Sequence, residues 1–136
     1  MKSKNDITHA TRLLPGNDLK KTIGNFAKAH DIKAGWIATC VGSLTEYSIR
    51  FANQQVASTG SGHFEILSLS GTVSVHGLHL HITIADGAGP AFGGHLMEGC
   101  KIYTTAEVVL IESPKFIFTR EKDGSTPWKE LRITKK

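Results

Sequence analysis

A chain of 136 residues that is 40% apolar and 21% charged has enough apolar material for a folded core and too little charge for disorder. Its net charge of +4 permits contact with phosphates without requiring it, and two cysteines cannot form a disulfide framework. No apolar run approaches the ~20 residues of a membrane-spanning helix, so contact with a membrane is not expected.

The length predicts one domain over residues 1–136, with its core at about 8–132 and polar termini. Met1 to Asp6 contains no apolar segment of the secretory type. Cys40 and Cys100 each sit in an apolar stretch and read as buried free thiols, the pattern of a cytoplasmic, reducing location. Basic residues gather toward the ends, at Lys2, Lys4, Lys20 and Lys21, then at Lys129, Arg132, Lys135 and Lys136.

In chain order, Ile7 to Leu14 predicts a strand closed by Pro15-Gly16. Asn17 or Asp18 then caps a helix to about Lys28, with Leu19, Ile23, Phe26 and Ala27 on one stripe and Lys20, Lys21 and Lys28 in water. Trp36 to Val41 predicts a buried strand ended at Gly42-Ser43, and Leu44 to Phe51 an alternating one. Residues 52–62 read as a loop, 62–73 as a strand, Lys101 to Ile111 as a long strand, and Lys115 to Arg120 as a short one. The remainder, 121–136, reads as a polar tail. Many strands, one substantial helix and no βαβ alternation give an α+β class with a mainly antiparallel sheet.

The stretch from Gly77 to Asp86 carries the chemistry. Leu78, Leu80, Ile82 and Ile84 alternate with His79, His81 and Thr83, the period of a strand with one apolar face. Gly87-Ala88-Gly89-Pro90 breaks the pattern, and Ala91 to Met97 returns as an antiparallel partner. Pairing symmetric about Ala88 sets His81 opposite His95, with His79 diagonal to it, all on one face. Three imidazoles beside Gly93 and Gly94, which would leave open space, describe an open zinc site rather than a closed one. Glu98 follows closely enough to serve as a general acid or base near a metal-bound water, or stands exposed beside Gly99. His63 and His76 read as surface residues, and His9 and His30 have no special context. Glu65, inside an apolar run, calls for a partner such as Arg12 or Arg50.

Several separated blocks resemble the plant-and-prokaryote conserved (PPC) domain. They are Arg12 to Leu19, Gly62-His-Phe-Glu-Ile-Leu-Ser-Leu-Ser-Gly71, Gly77 to His81, Gly93-Gly94-His95-Leu96 and Glu107-Val108-Val109. The resemblance implies a compact α+β fold and a homotrimer. The Arg-Gly-Arg-Pro hook with which plant members grip the minor groove is absent, so the chain resembles stand-alone prokaryotic members that keep the histidine set. The His-x-His…His pattern is also similar to the zinc site of acetolactate decarboxylase.

Two functions follow as expectations. One is a homotrimer holding zinc, or a similar divalent metal, on His79, His81 and His95 for a small oxygen-containing ligand. As an enzyme it would be a zinc-dependent lyase or hydrolase of a small carbonyl or carboxylate compound. The other is a DNA-associated regulator or oligomerisation module without the hook, its affinity carried by phosphate contacts.

Overall fold

The computed structural model describes residues 5–136, so Lys2 and Lys4 lie outside the described residues. The elements are β1 (Ile7–Leu13), α1 (Leu19–Ala29), β2 (Gly35–Arg50), β3 (Ser58–Ser74), β4 (Gly77–Ala85), β5 (Ala91–Leu96), β6 (Lys101–Glu112), β7 (Phe116–Glu121) and β8 (Glu130–Lys135). All strand pairs are antiparallel. Six strands form one sheet in the order β1-β6-β2-β3-β4-β5, and β7 with β8 forms a separate hairpin. β5 also reaches the far end of β2 through Ile49↔Leu96 and Arg50↔His95, so β2 to β5 close on themselves. An antiparallel sheet with one helix is the class that the alternation predicts.

α1 forms where the apolar stripe and the cap agree. Asp18 is its N-cap and accepts a hydrogen bond from Lys21 N at 3.0 Å. Leu19, Ile23 and Ala27 are buried against the sheet, and burial of each Leu or Ile side chain contributes about 1.5–3 kcal/mol. From the strands, Leu44, Ile49, Leu80, Ile82, Ile84, Leu96, Ile102 and Leu110 complete one contiguous core. Cys40 and Cys100 are buried free thiols within it.

Four expectations change. Trp36–Val41 and Leu44–Phe51 are not two strands but one, β2, because Gly42 does not turn the chain. A side chain there would run into the Thr105 carbonyl of β6, so the glycine serves close strand approach, and register shifts on either side bend the strand. The loop at 52–62 is shorter, since β3 begins at Ser58. Glu65 needs no buried partner, because it is exposed on the face opposite the buried Phe64 and Ile66. The tail is not unstructured: Glu130–Lys135 pairs with Phe116–Glu121 residue for residue.

Candidate metal centre

β4 and β5 meet in an unbroken ladder from His81↔His95 to Ala85↔Ala91. Because the glycine-rich turn joins them directly, the sequence symmetry about Ala88 becomes the register. His79 and His81 project from the face opposite the buried Leu80 and Ile82, and His95 joins them from β5. One ligand nitrogen from each of the three imidazoles lies within 4.8 Å of the others. Their ring centroids are 5.1, 5.2 and 5.8 Å apart.

Gly93 does not leave open space beside the cluster, as its missing side chain alone implies. A Cβ there would collide with the Ile82 carbonyl, so this glycine lets β5 approach β4 closely enough to bring His95 to His81. Gly94 leaves no open space either, since a Cβ there would run into the Arg50 carbonyl of β2. Burial first, and the surrounding positive charge second, favour the neutral form of two of the rings. Burial, then Lys20 and Arg50, lowers the pKa of His95 to about 4. Burial, then Arg120, lowers that of His79. Neutral imidazole is the metal-binding form, and an all-nitrogen set suits zinc and neighbouring divalent transition metals. A tetrahedral zinc would place its nitrogens about 3.3 Å apart, so the rings would have to draw in from their present spacing of up to 4.8 Å to hold one.

Residues distant in sequence wall the cluster. Ser70, His81, His95 and Arg50 lie in one row across β3, β4, β5 and β2, and Thr72 lies opposite His79. Arg120 of β7 donates from Nη2 to Thr72 Oγ1 at 2.6 Å, tying the hairpin to β3 beside His79. Two adjoining grooves of about 220 and 390 Å³ share His79, Arg120 and Glu130. Trp128, Lys129 and Lys20 line the larger one. Lys20 is therefore half-buried at the groove rather than free in water.

Glu98 does not line either groove. It is exposed, with Oε2 3.7 Å from Lys21 Nζ. Glu130 is the carboxylate that lines both. A short strand from Lys115 to Arg120 gives no sign of where Arg120 reaches, and treating 121–136 as a tail hides Glu130 and Trp128. A signal existed there, in the Asp123-Gly124 turn pair followed by Leu131 and Ile133 alternating with Arg132. His63 and His76 are exposed as expected, with His63 stacked on Tyr103 at 4.4 Å. His9 does have a context, its Nε2 lying 2.8 Å from Glu112 Oε2 beside the rings of Phe26 and His30.

Residues 2–114 match the profile of the Plants and Prokaryotes Conserved (PCC) domain, the PPC family, over most of the chain. The chain belongs to this family. Among solved PCC-like structures, a hypothetical protein of Salmonella cholerae-suis is 36% identical and superposes with a TM-score of 0.94, covering 98% of this chain and 97% of its own. A metal-containing protein of Archaeoglobus fulgidus is 26% identical with a TM-score of 0.80, covering 97% of this chain and 99% of its own. A PPC protein of Pyrococcus horikoshii is 27% identical with a TM-score of 0.72, over 97% and 99%. Two Synechococcus proteins described as bifunctional protein GlmU are 45% identical over 122 and 124 residues. The chain spans only 19% and 20% of those relatives' length. No helix among the described residues is long and apolar enough to cross a membrane.

Proposed function

We propose that this PCC-domain chain is a metal-binding homotrimer in which His79, His81 and His95 hold zinc, or a similar divalent ion, with a position open for a small oxygen ligand. The observation that carries the reading is the meeting of three ring nitrogens within 4.8 Å on two adjacent strands. The metal-containing relative from Archaeoglobus fulgidus supports it. A bound zinc would supply Lewis-acid polarisation or an acidified water. The chain's own part is to hold three imidazoles in place and to wall the groove with Arg120, Trp128 and Glu130.

Metal analysis of protein purified without a histidine tag tests this. The expected result is about one zinc or similar ion per chain, lost in His81→Ala. Wild-type protein without near-stoichiometric metal overturns the reading, and unchanged content in the variant overturns the ligand assignment. Contact with DNA is the competing reading, and its support is diffuse. Lys20 and Lys129, two of the basic residues that motivated it, line the groove rather than an open stripe. Gel shifts at about 50 and 200 mM salt separate the two, since binding carried by phosphates weakens steeply between them.

A further inference from the structure

Four cationic side chains, Lys20, Arg50, Arg120 and Lys129, converge on the larger groove from α1, β2, β7 and the segment before β8. Among the described residues none of them has a carboxylate within ion-pair distance. Arg50 sits opposite His95 in the ladder and donates one hydrogen bond, from Nη1 to the Gln54 carbonyl at 3.1 Å. Its Cζ lies 5.8 Å from the ring centroid of Trp128. Arg120 donates its hydrogen bond to Thr72, which lies opposite His79. Each guanidinium thus keeps most of its N–H donors for something else, and each is placed beside one of the histidines. Glu130 is the groove's carboxylate, and it accepts a hydrogen bond from Thr126 Oγ1 at 2.7 Å.

Positive groups gathered in a concave, partly desolvated site repel one another, and an anion relieves that repulsion. The anion must also suit the rest of the wall. Leu78, Met97 and Trp128 give the groove an apolar side. Its volume of about 390 Å³ admits a molecule of modest size rather than a polymer. We propose that the groove binds a small carboxylic acid anion with a short apolar body. Its carboxylate is held by Arg50 and Arg120, its body lies against Trp128, Leu78 and Met97, and a second oxygen points at the histidine cluster. Planar guanidinium groups recognise a carboxylate through paired N–H donors. Glu130 disfavours a more highly charged head such as a phosphate dianion. The role given to the second oxygen rests on the metal reading above, whereas the role of the arginines does not.

Calorimetric titration with 2-hydroxyisobutyrate tests this, with its neutral amide and inorganic phosphate as comparisons, on both zinc-loaded and chelator-treated protein. The acid is expected to bind more tightly than the amide and than phosphate. Arg50→Gln and Arg120→Gln should each weaken it roughly ten- to a hundredfold, the range for losing a hydrogen bond to a charged group. Zinc content in both variants should match wild type. Arg120 also anchors the hairpin, so Lys20→Gln and Arg50→Gln decide the matter if Arg120→Gln unfolds. The proposal is overturned if the acid does not bind at millimolar concentration, if the amide or phosphate binds as well, or if Arg50→Gln and Lys20→Gln stay within about twofold of wild type. A protein that takes up no zinc yet binds the acid in an arginine-dependent way refutes the metal reading and sustains this one. A zinc-loaded protein indifferent to the acid does the reverse.

Discussion

His95 shows how a single side chain registers its surroundings. In an unfolded chain its pKa is about 6.5, and in the fold burial, Lys20 and Arg50 lower it to about 4. Between those values the unfolded state binds more protons than the native one, so acidification favours unfolding. The contribution is fully present above pH 6.5 and is lost as pH falls from there toward 4. Urea titrations of chelator-treated protein should therefore show stability falling across that window, with a shallower fall in His95→Asn; parallel profiles would contradict it. The cysteines behave in the opposite sense. Burial, with Glu107 as a lesser cause for Cys40, pushes both thiols up to about 11. At pH 8 iodoacetamide should leave native protein unlabelled and should label two cysteines once it is unfolded, as read by mass spectrometry.

At the scale of elements, one buried carboxylate joins the helix to the sheet. Asp18 caps α1 through Lys21 N at 3.0 Å and accepts from Gly99 N at 2.7 Å, at the turn that leads into β6. Asp18→Ala leaves two donors without their partner and should cost about 1–3 kcal/mol in urea unfolding, with Asp18→Asn retaining part of the loss. A change below a few tenths would show that the cap carries little. The β7–β8 hairpin is tied down more lightly, by Arg120 to Thr72, Ser74 Oγ to the Phe118 carbonyl at 3.0 Å, and Phe118 N to the Lys33 carbonyl at 2.9 Å. Its strands carry no fully buried residue, unlike β4 and β6. Amides of β8 should therefore exchange with solvent long before those of β4, and equal protection would refute this.

For the whole molecule, the sheet has more apolar surface than its own chain covers. α1, at 11 residues, spans about 16 Å, far less than the 17-residue β3. On the outward face Val41 is 56% and Leu67 52% exposed, and the Gly42↔Ile66 pairing sets them side by side. A closed rotational oligomer would cover such a patch. Sedimentation equilibrium should find a trimer in the micromolar range, and Leu67→Glu should shift it toward smaller species. A well-folded wild-type monomer would refute the trimer.

The sequence by itself determined β4, β5 and their register. Side chains alternate with a period of two, and a short glycine-rich turn leaves one pairing that keeps Leu80 and Ile82 inside, so His81 must meet His95. It determined α1 equally, because the cap at Asp18 and the stripe of Leu19, Ile23 and Ala27 are local. Tertiary structure alone decided what surrounds the histidines. Arg50 reaches His95 only because bulges and twist accumulated along β2 bring its far end to β5. Arg120 reaches the side of His79 only because the terminal hairpin folds back onto β3. Local periodicity carries no record of such closures, since they depend on how a curved sheet adds up its bends, and that sum set the charge of the site.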